Sequence, residues 1–239
     1  MRKRETWERA LPFLADRVRS LGAEVEWNLT PPATSRQLTA LENDIGMPLP
    51  EELRLFFLRI SSDLLFCVDL YEDTIPPPDL GHLSNWGVSI SVEGVRTAEH
   101  IRKEWIRTVY NDMEDPYSLA WHGKLGLVNL PEGSIMSGAE MARELEEHED
   151  WAWGDVIALD VSPDADSQSL VYLSHDGGDY NGDVIAVDLN SYLQNALALG
   201  CVGAGEAALY FMESGVGLQS DTESGRAFSK WIGWNGNPA

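Results

Sequence analysis

The chain has 239 residues, 44% of them hydrophobic, with 17 Lys and Arg against 39 Asp and Glu, a formal net charge of −22 with neutral histidines. That length and apolar content suit one large domain or two small ones and exclude global disorder. The negative field excludes phosphate backbones and anionic membrane surfaces as favoured partners. Residues 125–239 hold only three of the basic side chains and 19 of the acidic ones, so −16 of the balance belongs to the second half. Such acidity serves solubility or marks a docking face for something positive.

Trp7, Leu11, Leu14, Val18 and Leu21 recur at three- and four-residue intervals before Gly22, which predicts an amphipathic helix over 5–21. A short connection through Val25, Trp27 and Leu29 leads to Pro31-Pro32. Thr34 and Gln37 have capping-box spacing, Leu38, Leu41 and Ile45 form one stripe, and Gly46 stops the helix. Pro50 reads as the first position of the next helix, with Glu51 and Glu52 favoured by its dipole and Leu53, Phe56, Phe57 and Ile60 as its buried face.

The period then changes. Leu64 to Leu70 is an apolar run typical of a strand, Pro76-Pro77-Pro78 forces a loop, and Val88, Ile90 and Val92 alternate with polar residues as in a half-buried strand. Helical spacing returns over 96–112. In the second half, strands are predicted at Leu125 to Leu130, Val156 to Val161, Leu170 to Leu173 and Val184 to Leu189, with an acidic helix from Ala139 to Glu149. Leu189 to Leu199 and Ala204 to Met212 read as helices. Gly200-Cys-Val-Gly203-Ala-Gly205 reads as the turn between them, and a Gly- and Ser-rich tail runs from Ser214 to Trp231 and Trp234. No repeat and no low-complexity linker divides the chain, so the expectation is a single α+β domain, 1–239, with a mainly antiparallel twisted sheet covered by helices.

Cys67 and Cys201, each among apolar neighbours, read as buried, reduced thiols. The basic start, Met1 to Arg4, is followed by Glu8, Arg9, Asp16 and Arg17 rather than an apolar signal segment, and no window approaches the roughly 18 apolar residues of a membrane span. The expected location is the cytoplasm.

Few residue groups point to chemistry. His82, His100, His122, His148 and His175 are scattered with no His-Glu-x-x-His motif, and no serine sits in a Gly-x-Ser-x-Gly elbow. No cofactor is expected, no catalytic or metal-ligating residue is singled out, and the chain reads as a non-enzyme. The turn holding Asp176, Asp179, Asn181 and Asp183 has enough oxygens for a cation but fails the EF-hand spacing; a hairpin turn is the plainer explanation. A metal-dependent hydrolase built on that turn is the remote alternative. Trp7, Trp27, Trp105 and Trp121 fit core positions. Trp151 and Trp153 follow the acidic run Glu144, Glu146, Glu147, Glu149 and Asp150, a mixture of aromatic anchors and charged rim that suits a protein interface. Core packing beside a solvated helix face is the plainer alternative. The partner-binding candidates are these seven residues together with Asp176, Asp179 and Asp183.

The stretch Thr34 to Ile60, with its Gly46-Met-Pro-Leu-Pro50-Glu-Glu-Leu53 elbow, resembles the opening of the SUKH superfamily domain, the fold of yeast cell-wall-assembly regulators and many bacterial immunity proteins. Trp153-Gly-Asp-Val-Ile-Ala-Leu-Asp160 and His175 to Leu189, a Gly- and Asp-rich turn before a strand ending in Asp-Leu, are similar to that family's sheet. The resemblance covers about residues 30–200. It leaves helix 5–21 and the extension 201–239 outside, and Ile60-Ser-Ser-Asp-Leu-Leu stands where the family often has an Asn-Gly turn. It implies an immunity protein that binds a co-produced toxin. With the charge, the expected partner is a basic protein such as a toxin domain; a regulatory or scaffolding module without a toxin is the alternative.

Overall fold

The computed structural model describes residues 3–77, 80, 83–95, 156–159, 170–173, 184–203, 206–213 and 216–236. The expected elements at 96–112, Leu125 to Leu130 and Ala139 to Glu149 lie outside them, as do all five histidines, Trp105 and Trp121. Described elements run in the order α1 (Arg4–Arg19), β1 (Ala23–Leu29), α2 (Ser35–Ile45), α3 (Glu51–Arg59), β2 (Asp63–Leu70), β3 (Asn85–Ser91), β4 (Val156–Leu159), β5 (Leu170–Leu173), β6 (Val184–Ala186), α4 (Leu189–Ala198), α5 (Glu206–Leu209), β7 (Met212–Glu213), β8 (Gly217–Leu218) and α6 (Glu223–Ile232). Strands order as β1-β2-β3, β4-β5-β6 and β7-β8, every described pairing antiparallel. Helices with antiparallel sheets make the described fold α+β.

The first sheet sorts its side chains by strand parity. Val25 lies opposite Val68, and Phe66 and Val68 lie opposite Val88 and Trp86; all five are buried. Trp7, Ala10, Leu11, Leu14, Ala15 and Val18 of α1 are buried in the same core as these strands, so the N-terminal helix is part of the fold. The segment 23–29 is thus a strand, not the expected connection. Its burial alternation is spoiled at Trp27, which is 37% exposed on a strand that pairs on one side only among the described residues, so Trp27 is not the core tryptophan its spacing suggests.

The elbow follows the sequence closely. Thr34 Oγ1 accepts from Gln37 N–H at 3.3 Å while Gln37 Oε1 accepts from Thr34 N–H at 2.9 Å, a complete capping box, and Gly46 ends α2 in the left-handed region. Glu42 then locks the bend, accepting from Leu49 N–H at 3.1 Å and from Arg54 of α3. Both donors hold its carboxyl below the usual range, Arg54 foremost. Pro50 occupies the N-cap of α3 rather than its first helical position. Phe56, Phe57 and Ile60 are buried as expected, and Leu53 partly so.

The C-terminal part departs most from expectation. β6 stops at Ala186, because Asp188 turns the chain and caps α4 by accepting from Ser191 N–H at 2.6 Å; Glu52 of α3 accepts from Leu189 N–H at 3.0 Å. Instead of a helix over 204–212 there is one turn, α5, and then a short hairpin, β7-β8. The tail is not peripheral: α6, capped by Thr222, buries Phe228 and Ile232, and Trp234 beyond it is buried too. Phe228 packs edge-on against Trp86 with ring centroids 5.2 Å apart and also meets Phe211 and Trp231. Gly200 and Cys201 both have positive φ, and Gly200 N–H bonds Leu197 O while Cys201 N–H bonds Ala196 O. This is the Schellman closure of α4 and the turn expected at the glycine run.

Candidate partner-binding face

The other face of the first sheet is set by the same register. Glu24 lies directly opposite Asp69, Glu26 opposite Cys67, and Asn28 opposite Leu65. Like charges directly opposite across an antiparallel pair destabilise it. Among the described residues no cation pairs with Glu24, Glu26 or Asp69; the ion pairs there are Arg4–Glu8, Arg19–Asp16 and Arg54–Glu42. Three carboxylates therefore share one outward face, with Glu24 and Asp69 facing each other and no described cation between them.

Cys67 sits in the middle of this face. It is a free, half-buried thiol, against the expectation of full burial, because its strand position turns it outward; its Sγ lies over Gly87, where a Cβ would come within 3.2 Å. Burial first, then Glu26 and Asp69, push its pKa up, which keeps it mostly protonated at neutral pH and slows its reactions as a nucleophile. Cys201 is buried as expected, and desolvation raises its thiol strongly.

One end of the sheet carries a pinned loop. Thr74 Oγ1 donates to Gly22 O at 2.6 Å and Thr74 N–H to Tyr71 O at 2.9 Å. Tyr71 and Ile75 are held outward, 55% and 84% exposed, with exposed Glu72 and Asp73 between them. Apolar anchors within an acidic rim are the composition of a protein-contact patch.

All ten residues expected from the sequence to bind a partner, Glu144, Glu146, Glu147, Glu149, Asp150, Trp151, Trp153, Asp176, Asp179 and Asp183, lie outside the described residues. Sequence reasoning misses the cluster of Glu24, Glu26 and Asp69. Its members come from two strands, with 45 positions between Glu24 and Asp69, and a charge count by halves points away from them. The signal that could have found them is Glu24 and Glu26 alternating with Ala23, Val25 and Trp27. Among the described residues no group of three His, Cys, Asp or Glu side chains is placed to hold a metal ion, and no described helix is long and apolar enough to cross a membrane. Comparison of the chain with family models, with curated proteins and with solved structures returned no match.

Proposed function

We propose that this chain is a non-enzymatic protein-binding module of the SUKH type, an immunity protein that docks and neutralises a basic toxin domain in the cytoplasm. The observation that carries the reading is the direct opposition of Glu24 and Asp69, with Glu26 on the same face and no cation paired to any of them among the described residues. A Lys or Arg from a partner would convert a repulsive pair into an attractive set. The overall charge of −22 supports the same reading, as do the likeness of Thr34 to Ile60 to the opening of that family's domain and the acidic run beside Trp151 and Trp153. Complementary charge of this kind acts mainly on the rate and selectivity of association, while buried aromatics hold the complex. The experiment is co-expression with the product of the neighbouring gene. Restored growth together with co-purification in a stable complex is expected. Growth inhibition that this chain leaves untouched contradicts the reading.

A further inference from the structure

The hydrogen-bond parity of the β1-β2 ladder is fixed at both ends. Tyr71 N–H donates to Gly22 O at 3.0 Å and Thr30 N–H to Asp63 O at 3.1 Å. Even-numbered residues of β1 therefore turn their main-chain groups toward β2, and Ala23, Val25, Trp27 and Leu29 turn theirs to the other side, where no strand pairs with β1 among the described residues. Two of those carbonyls are covered by α1: Arg19 Nη2 donates to Val25 O at 2.9 Å and Arg4 Nη2 to Leu29 O at 3.3 Å. Between them the N–H and C=O of Trp27 have no partner among the described residues, and its side chain is partly exposed. The opposite edge differs, since Gly203 N–H closes β3 at Gly87 O at 2.9 Å.

From this geometry we infer that the β1 edge at Trp27 takes up an extended, basic segment of a protein partner as an added strand. The inference rests on the reading of the chain as a binder of a basic protein and deepens it by naming where and how the partner docks. Main-chain hydrogen bonds at Trp27 would supply the pairing, and alternate side chains the selectivity. Charge selects the occupant. Glu26, next to Trp27, and Glu24, three residues before Trp27, stand on the outward face, so a strand laid along β1 places its own outward side chains beside two carboxylates, and Lys or Arg there is favoured. A second copy of β1 in the same place would bring glutamate against glutamate, which guards the edge against self-pairing. Arg4 and Arg19 hold the carbonyls of Leu29 and Val25 on either side of Trp27.

The test uses the full chain and a labelled seven-residue peptide, Lys-Val-Lys-Val-Lys-Val-Lys, capped at both ends, at about 0.15 M salt, where long-range attraction is largely screened. A control peptide carries the same side chains but N-methylated valines, which removes donors without changing charge. The expected result is that the plain peptide binds about tenfold more tightly than the methylated one. The double variant Glu24→Gln, Glu26→Gln should abolish most of that difference, and the variant Glu146→Gln, Glu147→Gln, Asp150→Asn should leave it intact. Equal binding of the two peptides, equal weakening by both variants, or binding of neither peptide overturns the edge assignment. None of these outcomes touches the growth-rescue result, so failure of the edge and failure of the immunity reading are separately visible.

Discussion

Arg17 Nε donates to the carbonyl of Ile232 at 3.2 Å, tying the last turn of α1 to the last turn of α6 across 215 positions of sequence. The same junction holds Trp234, whose indole N–H donates to Leu197 O at 2.7 Å, and Trp86, whose indole N–H donates to Gly200 O at 3.2 Å. Three helix ends and a sheet edge meet there, so the two ends of the chain stabilise one another. Removing residues 221–239 should abolish cooperative unfolding, because it strips Phe228, Ile232 and Trp234 from the core. A sharp thermal transition in the truncated chain would contradict this.

Substitutions at the junction should grade with what each removes. Trp234→Phe, which keeps a ring but loses the indole donor, should cost about 1 kcal/mol; Trp234→Ala should cost about 3–5 kcal/mol. Gly200→Ala forces a side chain into the left-handed region with its new Cβ driven against Ile232 Cδ1, and about 2 kcal/mol is expected from strain and overpacking together. Urea midpoints at constant m-value check the order Trp234→Phe, Gly200→Ala, Trp234→Ala.

Glu42 supplies a pH dependence whose sign is fixed. Its carboxyl is held below the ordinary carboxylate range by Arg54 and by Leu49 N–H, so its stabilisation is fully present above the unfolded-state value of about 4.3 and is lost as pH falls through the lower folded value. Glu42→Gln keeps an acceptor for Leu49 but removes the charge. The gap in melting temperature between the two proteins should be constant from neutral pH to about pH 5 and narrow below that. A gap that does not change with pH would refute the assignment.

The thiols should separate by accessibility and by charge. Iodoacetamide should modify Cys67 slowly at neutral pH, faster as pH rises and faster in Glu26→Gln, because Glu26 helps keep the thiol protonated. Cys201 should react only on global unfolding. Peptide mapping of the time course reads both. Cys201 modified at the rate of Cys67 would be incompatible with its burial.

Much of the fold is legible where local chemistry and tertiary packing agree. The capping box at Thr34 and Gln37, the stop at Gly46 and the buried Phe56 and Phe57 all come from residues close in sequence. β1 is missed although Ala23, Val25, Trp27 and Leu29 alternate with Glu24, Glu26 and Asn28, because so short a run between Gly22 and Pro31-Pro32 passes for a connection; the exposure of Trp27 is not written in that alternation. α6 is hidden because its first turn, Glu223-Ser-Gly-Arg226, has the composition of a loop; Phe228, Trp231 and Ile232 with Thr222 before and Gly233 after carry the helix signal. Asp188 ends a strand-like run and so reads as part of a strand, although a carboxylate two residues past Ala186 is well placed to cap the helix that begins at Leu189. The acidic sheet face is concealed for a different reason: opposition of Glu24 to Asp69 is a property of pairing, which a linear reading of charge does not contain.

Capture of a basic protein by an acidic face of this chain is tested most directly by the association rate with the neighbouring gene's product as salt rises from about 0.05 to 0.5 M, a range over which the screening length falls severalfold. The rate should fall steeply, and less steeply when Glu24, Glu26 and Asp69 are neutralised together, with the dissociation rate changing much less. A rate indifferent to salt, or one that the triple neutralisation leaves unchanged, would contradict capture by this face.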